Sequence, residues 1–239
     1  MLYLWHKFLK MEIHNFAFLL TLAAIVAILS GVGLTKRLNV FGLVKYMFPA
    51  IAFSAAILIM IDLQFAKLAV WSYHPKYVLG INLLDLPVEE WLFFIVVPFL
   101  GISIYELVKQ QFSHIEYPNF FLLLSLIVLV LVGVTAYSSH NKIYPFFLFF
   151  LITIYLGYTI FRNRFKTHYT KFYLSYIILL VPFILIEKVL IGLPIIEYND
   201  VYFLGVQLFS IPVENFASLF LLHIITITVY EYLKERRIY

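Results

Sequence analysis

The chain has 239 residues, of which 64% are hydrophobic and only 13% charged, far from the half apolar, quarter charged make-up of soluble domains. It contains no cysteine, which excludes disulfides, thiolate metal sites, iron–sulfur clusters and cysteine nucleophiles. The net charge of +4 is modest, and the basic residues sit in short stretches between apolar runs, so they read as topology signals and not as a nucleic-acid surface.

A membrane crossing takes about 20 apolar residues. The first run, 16–34, is too long for a signal-peptide core and is followed by no small-residue cleavage site, so it reads as a retained first helix. Further runs follow at 43–61, 87–107, 119–137, 144–161, 172–191 and 211–230, which makes an all-α polytopic membrane protein of about seven helices. Lipid offers no partner to backbone N–H and C=O groups, so these segments are helices, not strands. Connections are short except at 62–86 and 192–210, and long connections are where function is expected. The loops after helices 1, 3 and 5 and the C-terminal tail hold 11 Lys and Arg, against 6 on the other side. The positive-inside rule therefore expects a cell (inner) membrane protein with its C-terminus cytoplasmic, its N-terminus outside and both long connections facing outward.

The chain also repeats itself at a constant offset of 125 residues. Arg37 matches Arg162, Asp62 matches Glu187, Tyr73 matches Tyr198, and Gly80 matches Gly205. Pro87, Val88 and Glu89 match Pro212, Val213 and Glu214, and Tyr105 and Glu106 match Tyr230 and Glu231. Nine pairs in one ungapped register predict two three-helix repeats, 1–110 and 141–239, joined by a connecting helix within 111–140. Three crossings reverse the chain and a fourth restores its direction, so the units are expected to lie parallel, with matched residues at equal depth.

The strongest motif is Leu86-Pro87-Val88-Glu89-Glu90-Trp91, with its counterpart Ile211-Pro212-Val213-Glu214-Asn215-Phe216. Proline suits the first helical turn, and a carboxyl group there meets the positive end of the helix dipole. One copy would read as a helix start; two in register, next to the hydrocarbon, mark Glu89, Glu214, Glu90 and Asn215 as catalytic candidates. Glu214 heads a polar stripe through Ser218 and Thr228, which either faces the bundle interior or glues helices together. Asp62 and Glu187 end the second helix of each unit and either join the site or mark the interface. Tyr73, Tyr198, Trp71, His74 and Asn199 lie in or near the long connections, where an aromatic belt also accounts for the rings. Glu106 and Glu231, at the opposite helix ends, are expected to be solvated, and His223 to be a core histidine; no metal site is expected.

The doubled Pro-x-Glu-Glu and Pro-x-Glu-Asn helix starts on two three-helix units resemble the membrane-embedded lycopene cyclases, in the fused form of the heterodimeric enzymes of bacteria, archaea and fungi. The resemblance covers essentially the whole chain. It implies redox-neutral, proton-initiated closure of the linear ends of lycopene to β-ionone rings, giving β-carotene via γ-carotene. Such chemistry needs a carboxylic acid kept protonated by an apolar site and aromatic faces that steady a carbocation. The resemblance assigns the first to Glu89 and Glu214, with Glu90 and Asn215 beside them as further catalytic residues, and the second to Trp91, Phe94 and Phe216, with Ser218 as a further substrate contact. Asp62, Glu187, Tyr73 and Tyr198 are possible support. It implies a lipophilic carotenoid and the bilayer as partners, and possible association with other carotenoid enzymes. No cofactor is expected: Gly31-Val32-Gly33 is followed by Lys36 where a dinucleotide fingerprint needs glycine. The absence of lysine between Val213 and Tyr230 argues against a rhodopsin, and no aspartate-rich diphosphate site is present. A transporter with parallel repeats, or a cyclase acting on another carotenoid, is the alternative.

Overall fold

The computed structural model describes residues 12–31 and 40–236. Residues 32–34 of the first apolar run, Arg37, and the cations Lys7, Lys10, Lys36 and Arg237 lie outside the described residues. A short 3-10 turn, Ile13–Phe16, leads into α1, Ala17–Gly31. Then come α2 (Val40–Lys67), α3 (Val88–Gln111), α4 (Pro118–Ser138), α5 (Ile143–Arg162), α6 (Tyr169–Gly192) and α7 (Val213–Glu235). Six of these helices are long and apolar enough to cross a membrane. The fold is the expected all-α polytopic bundle. Several helices outrun their apolar segments, because helical hydrogen bonding continues past the point where hydropathy falls. Asp62 and Glu187 consequently stand inside α2 and α6, more than a turn before Lys67 and Gly192, instead of ending them.

The two units are interlocked. α2 packs on α7, and α6 packs on α3, which is the same contact made twice across the repeat. The last helices of the two units, α3 and α7, form the centre: 61% of the most apolar stretch of each is buried, against 39% or less elsewhere. α4 lies outside this arrangement, packing on α5 and α6 with 11% of that stretch buried, as a connector facing lipid would.

A small sheet ties the units at one end. β1 (Trp71–Tyr73) pairs antiparallel with β4 (Ile196–Tyr198), with Trp71 opposite Tyr198, Ser72 opposite Glu197 and Tyr73 opposite Ile196. Ser72 and Glu197 are 125 residues apart, so a pseudo-twofold axis passes between repeat equivalents. The flanking bonds obey it: His74 N–H donates to the Ile195 carbonyl, and its equivalent Asn199 N–H to the Val70 carbonyl, both at 2.9 Å.

Candidate active site

Each long connection continues from its strand into a loop and a minimal hairpin. β2 (Asn82–Leu83) pairs with β3 (Leu86–Pro87), and β5 (Gln207–Leu208) with β6 (Ile211–Pro212). The turn residues Leu84 and Asp85 have φ of 51° and 72°, and Phe209 and Ser210 have 55° and 64°. Two successive positive φ values are the turn geometry that matches strand twist, here reached without glycine at some steric cost. Pro87 and Pro212 then open α3 and α7.

Glu89 and Glu214, the second residues of those helices, turn to the loops. Glu89 Oε1 accepts the Leu79 N–H at 2.7 Å, and Glu214 Oε1 accepts the Leu204 N–H at 2.6 Å. Beside them Val88 N–H reaches the Ile81 carbonyl and Val213 N–H the Val206 carbonyl. Both glutamates are fully buried, and neither lines the cavity next to them.

That cavity encloses about 60 Å³ of free space. Twelve of its sixteen lining residues form six repeat pairs: Asp62 and Glu187, Trp71 and Ile196, Tyr73 and Tyr198, Glu90 and Asn215, Phe93 and Ser218, Phe94 and Leu219. It therefore lies on the pseudo-axis, with six lining residues from the first unit and ten from the second, so neither unit walls it alone. Three buried carboxyl groups face it, those of Asp62, Glu90 and Glu187.

Among the polar pairs the symmetry breaks most sharply at Glu90 and Asn215. In the second unit Asn215 Nδ2 donates to Glu187 Oε2 at 2.8 Å and to the Tyr198 hydroxyl at 2.6 Å, and Tyr198 donates to the same Glu187 oxygen at 3.3 Å. Glu187 is thus a carboxyl group supplied with two donors. In the first unit Glu90 stands where Asn215 would, close enough to Asp62 for their charges to interact and beside the Tyr73 phenol. Glu90 Oε2 is buried without a hydrogen-bond partner. Burial, and after it the neighbouring carboxyl groups, raises both the Tyr73 and Tyr198 phenols well above their ordinary range, so both stay protonated as donors.

The remaining wall is aromatic. Tyr144 meets Trp71 edge-on, with centroids 5.4 Å apart, and Phe93, Phe94 and Phe183 complete it. Of the aromatic residues expected to steady the cation only Phe94 lines the cavity, joined by Ser218 and by Tyr73 and Tyr198 of the support group. Trp91 instead donates its indole N–H to the Leu83 carbonyl at 3.1 Å, and Phe216 packs on Phe183 from outside. Tyr144, Phe93 and Phe183 were not anticipated. Phe183 stands one turn before Glu187 and so on its face, a signal that could have found it. Tyr144 has no aromatic repeat partner, since its equivalent is Leu19.

At the other end, Glu106 and Glu231 are buried, contrary to the expectation that they are solvated. Lys234 donates to Glu106 and Lys109 to Glu231, each at 2.7 Å, and Tyr230 donates to Glu106 at 2.9 Å. Lys109 and Lys234 are themselves repeat equivalents, so the crossing of α3 and α7 brings each carboxylate to the other unit's lysine. His223 is buried against Ser175, 2.9 Å from its Oγ, and stacks on Phe172. Thr228 contacts the Tyr155 hydroxyl away from the cavity, so the polar stripe of α7 serves two different surroundings.

Fold and site define a two-repeat membrane protein with one buried acidic pocket shared between its halves. The family model described as lycopene cyclase matches residues 12–108 and 141–233, which cover both repeats and omit α4. The chain belongs to the lycopene cyclase family, a family of carotenoid cyclases. Comparison with curated proteins and with solved structures gives no match.

Proposed function

We propose that this protein is a lycopene β-cyclase that closes the linear ends of lycopene by proton transfer, with Glu90 as donor and Glu187 as acceptor. The observation that carries the reading is the asymmetric cavity: Glu90 has the Tyr73 phenol beside it and one oxygen without a partner, opposite Glu187, which accepts from both Asn215 and Tyr198. A carboxyl oxygen without partners in an apolar wall keeps its proton until an alkene takes it; a carboxylate with two donors is stabilised in the charged form. Glu90, next to Asp62 and Tyr73, protonates the terminal double bond and leaves a tertiary cation. The neighbouring double bond attacks that cation, the ring closes, and the charge moves onto the ring. Glu187 removes a ring proton and sets the double bond. One proton enters and one leaves, so the reaction is an isomerisation without redox change and needs no electron carrier.

The rings of Trp71, Phe93, Phe94, Tyr144 and Phe183 present π faces that steady a cation without offering a lone pair to trap it. The free space of about 60 Å³ takes a few water molecules and not a branched ten-carbon end group, so an end group is seated only as wall side chains turn aside. Glu89 and Glu214 act through the loops, holding them over the helix mouths. β-Carotene, formed via γ-carotene, is the expected product. The proposal includes a cell membrane with the cavity end outside and the C-terminus inside, and association with other carotenoid enzymes. Expression in a lycopene-accumulating bacterium followed by pigment chromatography tests it. Unchanged lycopene, with the chain folded in the membrane, overturns it.

A further inference from the structure

Away from the acidic cavity, α2, α5 and α7 surround a second cavity of about 370 Å³. Its body is aromatic, with Phe53, Tyr155 and Tyr158 among the lining residues, and Phe53 and Tyr158 are more than half exposed on the outside of the bundle. Its rim carries Arg162 and Arg164. Arg162 is the last residue of α5, and its guanidinium rests over the Tyr158 ring at 5.8 Å. Asn163 ends the helix in the left-handed conformation, with φ of 54°, and Arg164 follows in the turn.

The charges of this rim leave a net positive balance, because Lys109 answers Glu231 and two arginines then stand against Glu235 alone. Glu231, at the floor, is bonded to Lys109, and Glu235 faces His168 Nε2 at 3.0 Å. Neither arginine has a carboxylate partner among the described residues. Two unneutralised guanidinium groups therefore stand where an aromatic cavity meets the membrane interface, the depth of lipid phosphates. Guanidinium forks match phosphate oxygens in pairs, whereas an all-hydrocarbon ligand would leave them unanswered. A metal ion at His168, Glu231 and Glu235 would have to displace Lys109.

We propose that this cavity binds an anionic phospholipid, its phosphate held by Arg162 and Arg164 and an acyl chain lying against Phe53 and Tyr155. The test is native mass spectrometry of the purified full chain titrated with phosphatidylglycerol or phosphatidylcholine. One retained phosphatidylglycerol, preferred over phosphatidylcholine, is expected. Arg162→Gln/Arg164→Gln should weaken retention roughly tenfold or more, the usual size of lost charge-assisted bonds, and Arg164→Gln alone by less. Lys45→Gln, which removes an exposed cation of α2 outside the cavity, should leave retention unchanged. Equal weakening by Lys45→Gln would mean diffuse surface charge and overturns the proposal. So does equal retention of phosphatidylcholine, displacement by inorganic phosphate, or the absence of retained lipid on protein whose helical circular dichroism and cooperative melting show it folded. None of these readouts depends on how the acidic cavity works.

Discussion

Replacing Glu90 by glutamine separates chemistry from scaffolding within one motif. Glutamine keeps the shape of the side chain but cannot deliver a proton. Glu90 Oε2 has no hydrogen-bond partner to lose, and the glutamine amide oxygen can still accept from the Tyr73 phenol, so the fold should be little disturbed. Removing a general acid costs about 100-fold to 10,000-fold in turnover. The adjacent Glu89→Gln has the opposite profile. Its amide oxygen can still accept the Leu79 N–H, and what is lost is the charge assistance of one 2.7 Å bond, about 1 kcal/mol. If all of that loss reached the transition state it would slow turnover less than about tenfold. Both variants would be expressed in a lycopene-accumulating strain, with membrane-inserted protein quantified beside the pigment ratio. Glu90→Gln should leave lycopene essentially unconverted at normal protein level, while Glu89→Gln should convert most of it. A Glu90→Gln enzyme retaining more than a tenth of its rate, or a Glu89→Gln enzyme falling equally far, would refute the assignment.

Asn215→Leu removes the two Nδ2 bonds to Glu187 and Tyr198, leaving Tyr198 as the one donor to Glu187, and should cut conversion roughly 100-fold without loss from the membrane, read by the same chromatography. Splitting the chain between residues 138 and 143 should leave each half inactive and restore conversion on co-expression, because six repeat pairs wall the cavity. Adding Glu106→Gln and Glu231→Gln to the split halves should weaken their reassociation by about 1–2 kcal/mol in total, discounted because both lysines are partly exposed; affinity capture of one half by the other measures it. A Cβ at Gly101 would stand 2.8 Å from His223 Nδ1, so Gly101→Ala should destabilise the bundle by about 1–3 kcal/mol in thermal unfolding. The raised phenols of Tyr73 and Tyr198 contribute stability present below the unfolded phenol value of about 10 and lost as pH climbs beyond it. The melting temperature should therefore drop above that pH, and less steeply in the double phenylalanine variant.

The helices were legible because a bilayer demands long apolar runs, and the two units because one register joins Asp62 to Glu187 and Glu89 to Glu214. The same register brought Asp62, Tyr73 and Glu90 and their partners to notice, and they do meet in one cavity. What pattern could not show was direction. Glu89 and Glu90 are adjacent letters, yet one side chain turns back to a loop amide and the other inward, a choice set by where the loop crosses the helix mouth. Glu106 and Glu231 read as solvated because their partners, Lys234 and Lys109, lie in the other unit, and a pairing across the bundle leaves no local trace. Tyr144 escaped because a search by repeat cannot find a residue whose equivalent is Leu19.

The central claim, closure of lycopene ends by a proton delivered and a proton removed, is tested most directly by running the conversion in heavy water. The purified chain in lipid would be given lycopene, and the product analysed by chromatography and mass spectrometry. The account predicts a β-ring carotene that is isomeric with lycopene except for one deuterium retained for each ring closed. A cyclic product without deuterium, or lycopene recovered unchanged from folded protein, would contradict it.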